Sequence, residues 1–219
     1  MTNDKIELSS MNHQRRILGW LAIILAPCCI LFGLFGKNNY PDWYMSISDT
    51  YYANSNIFMI GLLFTIGVYF LAYRGYDLKD RICSLIESIS AFGIIVFPTP
   101  TSYSPENIGL FGISKSISGY FHNTFAAVLF IAFAFNVMCL FTISRGFKTM
   151  EKIRRNIIYY ICGSLIIIFM ISQVFYSFGL FNLSKKVPMT LINEFCMLVP
   201  FGVAYLVKSE AFKCLNDKE

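Results

Sequence analysis

The sequence predicts an all-α protein, a polytopic membrane bundle of six transmembrane helices that forms one domain over residues 1–219. Three observations lead to this prediction. The chain is 56% hydrophobic and only 14% charged, so it has too few charges to cover the surface of a soluble protein. Its apolar residues fall into six long runs, and its basic residues gather on every second connection between those runs.

Each apolar run is long enough to cross the hydrocarbon core, which takes about 20 helical residues. The runs are continuously apolar rather than alternating, and backbone groups in lipid must form their hydrogen bonds within the segment, so helices are expected rather than strands. The six predicted helices cover about residues 17–36, 57–73, 82–97, 120–143, 157–181 and 187–207.

The basic residues predict the orientation of the bundle, because Lys and Arg in short loops are retained on the cytoplasmic side during insertion. Of the 18 Lys and Arg residues, fourteen fall on one side of the predicted bundle and four on the other. The four are Lys37, Lys115, Lys185 and Lys186. Both the N and the C terminus are therefore predicted to be cytoplasmic, in the cell membrane or, in a Gram-negative bacterium, the inner membrane.

The net charge of +5 does not indicate a nucleic-acid partner, because the basic residues lie in short loops beside helix ends. The expected partners are membrane lipids. No cofactor and no metal are predicted, since the two His residues are too few for a histidine-rich zinc site and Walker, CxxC and haem-attachment motifs are missing. An oxygen-rich metal site of Asp49, His122 and Glu194 stays open as an alternative.

Polar side chains inside the predicted spans are the first candidates for function, because burying them in lipid is costly. Glu194 lies about 9 Å inside the exterior boundary, and His122 about 5 Å, at 1.5 Å per helical residue. Gln173 reaches a similar depth on the fifth helix. The polar segment at residues 45–52, MSISDTYY, leads into the second helix at the same level.

These residues predict a polar pocket that opens to the exterior or to the outer leaflet. The predicted ligand-binding residues are Ser46, Ser48, Asp49, Tyr51, Tyr52, His122, Gln173 and Glu194. Two alternatives stay open. The hydroxyls and phenols could only anchor and cap the second helix, and His122 and Glu194 could only form a structural hydrogen bond between helices four and six.

Glu87 starts from the opposite face of the membrane, so we do not expect it to join this pocket. It is a candidate proton-binding carboxyl, because burial favours the neutral form of a carboxyl group. The alternative is a structural carboxyl on a polar stripe with Ser84 and Ser88, which share its helix face.

The favoured function is the binding or movement of a small or lipidic ligand through the exterior pocket, without enzymatic activity. A membrane-embedded lipid hydrolase or transferase is the alternative, with Ser48 or Ser46 as nucleophile, His122 as base and Glu194 or Asp49 as the orienting carboxylate. No Gly-x-Ser-x-Gly motif supports it. A structural or assembly subunit is the second alternative.

Residues 46–77 resemble a group of uncharacterised bacterial multi-span membrane proteins. The shared pattern is SIS, YY, NIF, GLL and YRGYD, found here at residues 46–48, 51–52, 56–58, 61–63 and 73–77. Phe97-Pro98-Thr99 and His122 continue it, so the resemblance covers about the first two thirds of the chain. It implies a multi-span membrane fold and no particular activity.

The ISDT stretch at residues 47–50, together with the six-span layout, is more distantly similar to the damage-regulated autophagy modulator family. That family has Gly where this chain has Tyr51. The similarity implies a lipid- or membrane-associated role and assigns no catalytic residue.

Overall fold

The computed structural model describes residues 2–34, 44–75, 77–144, 149–180 and 187–217, with side chains from residue 8 onward. The α-helices in this part of the chain are α1 Thr2–Leu34, α2 Asn56–Ala72, α3 Leu78–Val96, α4 Lys115–Phe135, α5 Met150–Ser177 and α6 Met189–Lys208. The prediction of an all-α fold is confirmed.

Shorter elements join and extend the helices. α4 continues as a π-helical turn, Asn136–Leu140, and 3₁₀ turns occur at Ser48–Tyr52 and Lys213–Leu215. A small antiparallel hairpin pairs β1, Asn107–Ile108, with β2, Ile113–Ser114, just before α4. It lies in the connection between α3 and α4.

Among the described residues, four segments are long and apolar enough to cross a membrane: Leu8–Leu34, Lys115–Leu140, Met150–Ser177 and Met189–Lys208. α2 is apolar but has only 17 residues. α3 has 19 residues, and its first turns carry Lys79, Asp80 and Arg81. The four apolar segments indicate a membrane-embedded helical bundle.

Several helices begin earlier than their apolar runs predict. α1 starts at Thr2 rather than near residue 17. α3 starts at Leu78 behind a capping box of Asp77 and Asp80, and α5 starts at Met150, where Thr149 accepts a hydrogen bond from the backbone N–H of Lys152. Hydropathy predicts where a helix enters lipid, whereas capping side chains determine where it begins.

Part of the predictions falls outside the described residues. These positions are the predicted helix ends at 35–36 and 181, and the basic residues Lys37, Arg145, Lys148, Lys185, Lys186 and Lys218.

The helices pack against one another in ring order. Each contacts its neighbour along the chain, and α6 returns to pack against α1. An aromatic cluster fills the centre, where Phe133 of α4 stacks on Phe201 of α6 with ring centroids 3.5 Å apart. Phe70 of α2 and Tyr205 of α6 meet the same cluster edge-on. Side chains from three helices that are not neighbours in sequence therefore meet at the axis of the bundle.

The contact between α1 and α6 is the closest approach of two helix backbones through glycine. A Cβ atom added at Gly202 would lie 2.6 Å from the carbonyl oxygen of Gly19, and one added at Gly19 would lie 2.8 Å from that of Gly202. Small residues permit this close approach. Helices in lipid associate through such contacts, because their apolar side chains gain nothing by moving from lipid to protein. The first and last helices are thus joined at a position that no larger residue fits.

We expect Gly202→Ala to lower the midpoint of thermal unfolding in detergent, because its methyl group would push α1 and α6 apart. The expected loss in the free energy of unfolding is about 1–3 kcal/mol, typical of overpacking. Gly61→Ala is the matched control, since nothing lies within 4 Å of a Cβ atom added there. Equal unfolding midpoints for the two variants would contradict the close contact.

Candidate binding pocket

Residues 44–52, here called the outer segment, form a compact turn at the end of the bundle away from the two termini. Asp49 Oδ2 accepts hydrogen bonds from the backbone N–H groups of Met45, at 2.9 Å, and Ser46, at 3.1 Å. The Asp49 N–H donates to Ser46 Oγ at 3.0 Å. Burial raises the pKa of the Asp49 carboxyl, and the hydrogen bonds from Ser46 and Met45 oppose that rise. Asp49 thereby closes the turn on itself.

Two hydrogen bonds attach the outer segment to the start of α6. The Leu191 N–H, one of the free donors in the first turn of the helix, donates to the Met45 carbonyl at 2.9 Å. The Ile47 N–H donates to Glu194 Oε2 at 2.6 Å. Glu194 therefore serves as the acceptor that positions a segment distant from it in sequence.

Tyrosine hydroxyls attach the outer segment to the connection between α3 and α4. Tyr52 donates to the Thr99 carbonyl at 3.0 Å, and Tyr103 donates to the Asp49 carbonyl at 3.4 Å. Burial raises the pKa of Tyr52 to about 12, so this phenol keeps its proton at neutral pH. Tyr51 packs against the apolar core. These phenols build the wall of the site instead of facing its interior.

His122 ties α4 to the end of α3. Its side chain is 4% exposed, and its Nδ1 lies 2.8 Å from the Phe97 carbonyl oxygen, with the Ile94 carbonyl also near the ring. A carbonyl only accepts hydrogen bonds, so Nδ1 carries the proton. Ser118 of the same helix donates to the Pro98 carbonyl at 2.8 Å. Both bonds hold the start of α4 against the connection that precedes it.

A cavity of about 360 Å³, here called the outer cavity, lies between α4, the α5–α6 pair and the outer segment. Its polar lining is Ser46, Ser48, Thr99, His122, Asn123, Gln173, Ser177, Thr190 and Glu194. Its apolar lining is Ala126, Ala127, Phe130, Met170, Val174, Phe178 and Met197. The volume is within the usual range for ligand pockets, at its lower end.

A smaller cavity of about 50 Å³ lies behind the outer cavity, towards the bundle core. The two share Ser48, His122, Ala126, Phe130 and Glu194 as lining residues, and most of the remaining lining of the smaller one is aliphatic. The three polar side chains among them lie where a mixed outer space meets a more apolar inner one.

Gln173 is oriented by α6. Asn193 Nδ2 donates to Gln173 Oε1 at 2.9 Å, and Gln173 Nε2 donates to Thr190 Oγ1 at 3.2 Å. Asn193 is fully buried, and its own Oδ1 has no hydrogen-bond partner among the described residues. The network fixes the amide of Gln173 in the cavity wall between two helices that are antiparallel neighbours.

Five of the eight predicted ligand-binding residues line the outer cavity, namely Ser46, Ser48, His122, Gln173 and Glu194. Asp49, Tyr51 and Tyr52 do not line it, because their side chains bond or pack within the wall. The role of all eight in ligand binding stays a prediction. The described hydrogen bonds do not include the alternative His122–Glu194 bond. His122 is bonded to the Phe97 carbonyl, and Glu194 accepts from the Ile47 N–H.

Sequence reasoning did not include Thr99, Asn123, Ser177 and Thr190 in the site. Two of them had a usable signal: Ser177 follows Gln173 by four residues, and Glu194 follows Thr190 by four, which places each pair on one helix face. Thr99 had none, since it lies in an irregular connection after α3.

The described hydrogen bonds do not form the relay that a serine hydrolase needs. His122 Nδ1 is bonded to a backbone carbonyl, and Glu194 Oε2 to a backbone N–H, so neither belongs to a Ser48–His122–carboxylate chain. Among the described residues, no group of three or more His, Cys, Asp and Glu side chains is placed to hold a metal ion.

Glu87 lies apart from the outer cavity, in the half of the bundle nearer the termini. Asn136 Nδ2 donates at 3.0 Å both to Glu87 Oε1 and to the Tyr205 hydroxyl. Ser84 and Ser88, which share its helix face, donate instead to the carbonyls of Phe70 and Gly67 on α2. Glu87, Asn136 and Tyr205 are called the Glu87 site below.

No protein-family model, no curated protein and no solved structure matches the chain. The resemblances at residues 46–77 and 47–50 therefore stay predictions, and the argument about function rests on the geometry of the two polar sites.

We expect Glu194→Ala to loosen the outer segment, because the buried Ile47 N–H would lose its acceptor. An unpaired buried donor costs about 1–3 kcal/mol. Thermal unfolding in detergent and limited proteolysis near residues 44–52 measure the effect. Glu194→Gln is the control, since its amide oxygen can still accept the bond. Equal behaviour of the Ala and Gln variants would show that this bond does not hold the segment.

Proposed function

We propose that the protein is a membrane protein that binds or moves a small or lipidic amphiphile, with the outer cavity as its binding site. The observation that carries this proposal is the cavity lining, in which nine polar and seven apolar residues converge from α4, α5, α6 and the outer segment. A solely structural bundle gains nothing from such a space, since cavities cost packing energy.

The deeper part of this cavity is apolar, whereas its outer part is mixed, with Val174 and Phe178 beside the polar groups. Thr190 and His122 lie near the outer ends of their helices, whereas Phe130, Met170 and Met197 lie one to two turns deeper. A ligand with a polar head and an apolar tail matches this order, with its head among the hydroxyls and amides and its tail on the apolar floor. The volume suits a small amphiphile or a single acyl chain.

The charges of the lining select the kind of head group. Glu194 is the acidic residue that lines the outer cavity, and the described lining includes neither Lys nor Arg. The hydroxyls and amides both donate and accept hydrogen bonds, whereas a carboxylate only accepts them. The head group is therefore cationic or neutral, such as an amine or a polyol, because an anionic head would meet no cation.

Binding is favoured over lipid hydrolysis because the polar groups of the cavity are held by backbone partners rather than by one another. His122 is anchored by the Phe97 carbonyl and Glu194 by the Ile47 N–H. Groups fixed in this way suit recognition, while a serine nucleophile needs a base within hydrogen-bond reach.

The proposed topology has six membrane spans in the cell membrane, with both termini in the cytoplasm. α2 and α3 are about 25 and 28 Å long at 1.5 Å per residue, which approaches the ~30 Å of the hydrocarbon core. The cations Lys152 and Lys208 both donate to the Phe141 carbonyl at the end of the bundle where the termini lie, as the positive-inside rule expects.

Reporter fusions test this topology. Green fluorescent protein fused after the last residue is expected to fluoresce, because it folds in the cytoplasm. Alkaline phosphatase inserted between Pro105 and Glu106 is expected to be active, because it requires the oxidising exterior. Loss of activity of both reporters would show an inverted orientation. Activity of only one reporter would place both sites on the same side of the membrane and would show that the number of spans between them is wrong.

Two amphiphiles with the same tail test the ligand class. In nanodiscs containing the whole protein, dodecylamine is expected to bind and raise the midpoint of thermal unfolding, whereas laurate is not. Glu194→Gln is expected to weaken dodecylamine binding about tenfold, since a charge-assisted hydrogen bond is worth about 1.5–3 kcal/mol.

Glu106→Gln is the control for charge neutralisation outside the cavity, since this side chain is 76% exposed and pairs with Lys115. It should bind dodecylamine like the unaltered protein. Equal binding of dodecylamine and laurate, or equal affinity of the Glu194→Gln and Glu106→Gln variants, would overturn the proposed site.

A further inference from the structure

The Glu87 side chain is 0% exposed, in the interior of a bundle whose helices are mostly apolar. Its hydrogen bonds come from the Asn136 amide and from the Cys83 thiol, at 3.0 and 3.8 Å, and both reach the same oxygen, Oε1. The second oxygen, Oε2, is buried and has no hydrogen-bond partner among the described residues. A carboxyl group in this setting has room for one more bond, at Oε2.

The cations nearest this end of the bundle are held by other acceptors. Arg15 donates through Nε and Nη2 to the Tyr73 hydroxyl, and through Nη1 to Asn12 Oδ1. The donors on Glu87 are both neutral groups. An ionised carboxylate in such a place is costly without a paired cation, so the resting form of Glu87 is the neutral acid.

Other ionisable groups surround Glu87 from several elements. Tyr205 faces it from α6, with Arg15 of α1 and Tyr73 at the end of α2 beyond that hydroxyl. Cys83 and Asp80 lie on α3 itself. Asp80 precedes Glu87 by seven residues on the same helix face, about 10 Å away along the axis and close to the helix start.

α3 and α4 connect the Glu87 site with the outer cavity. The two helices are bonded near both of their ends, by Asn136 to Glu87 and by His122 to the Phe97 carbonyl. Between these bonds, Gly93 lies directly against the ring of Phe125. Asn136 and His122 are about 21 Å apart along α4. α4 therefore contributes one residue to each site.

Asn136 also begins the π-helical turn, in which the Phe141 N–H bonds to the Asn136 carbonyl at 3.0 Å. Such turns are rare and are frequent at functional sites. The residue that holds Glu87 is thus the residue at which the hydrogen-bond register of α4 changes.

We propose that Glu87, Asn136 and Tyr205 form a second binding site, specific for an exchangeable proton. Water at the terminal end of the bundle supplies the proton, and it adds to the Glu87 carboxylate to give the neutral acid. Loss of that proton leaves a carboxylate, which strengthens the bond from Asn136 and holds the π-helical turn more tightly. This site stands independently of the ligand in the outer cavity.

Infrared spectroscopy of the purified full-length protein in nanodiscs tests this proposal. A protonated-carboxyl band that depends on Glu87 is expected at neutral pH. It is lost in Glu87→Gln and retained in Glu194→Gln, which separates it from any band of the Glu194 carboxyl. It should shift on transfer to D₂O and disappear as the pH is raised, while circular dichroism shows an intact helical fold. Lack of any Glu87-dependent band at neutral pH would overturn the proposal. A band that neither exchanges nor titrates before the protein unfolds would overturn it equally.

Asn136→Leu keeps the test decisive if Glu87→Gln does not fold. Removing the amide donor is expected to shift the Glu87 band to higher frequency, because the carbonyl of the acid loses its hydrogen bond. An unshifted band in Asn136→Leu would show that Asn136 does not hold the proton-binding group and would overturn the three-residue site.

Discussion

The Ile47 N–H donates to Glu194 Oε2 over 2.6 Å, and the Leu191 N–H donates to the Met45 carbonyl beside it. Backbone groups near a bilayer must find partners within the protein, and these two bonds satisfy that requirement at Met45 and Ile47, which precede the 3₁₀ turn of the outer segment. They also place Ser46 and Ser48 against α4 and α6. The polar wall of the outer cavity depends on this attachment, because no regular element would otherwise hold it.

The two polar sites occupy opposite ends of the same helix pair. His122 and Asn136, both on α4, bond respectively to the backbone at the end of α3 and to Glu87 within it. The aromatic cluster around Phe133 lies between the sites and excludes water from the axis. The apolar core thus separates the outer cavity from the Glu87 site, and α3 and α4 run past both.

The depth of each polar side chain in the bundle was predictable from the sequence, but the direction in which it points was not. The constant rise of a helix placed His122, Gln173 and Glu194 at one level and Glu87 at another, and the first three do line one cavity. Asp49 and Tyr52 lie at the right level yet turn into the wall, because tertiary hydrogen bonds decide their orientation. The hydrogen bond from Asn136 to Glu87 joins two helices, and no periodic pattern in either helix predicts it.

The Gly19–Gly202 contact joins the first helix to the last, so the ring of helices closes only when α6 has left the ribosome. Until then the nascent bundle inserts into the bilayer with the glycine face of α1 bare and the Ile47 N–H without its acceptor. The outer cavity is therefore complete only after α6 is made, since α6 supplies Thr190, Glu194 and Met197 to its lining.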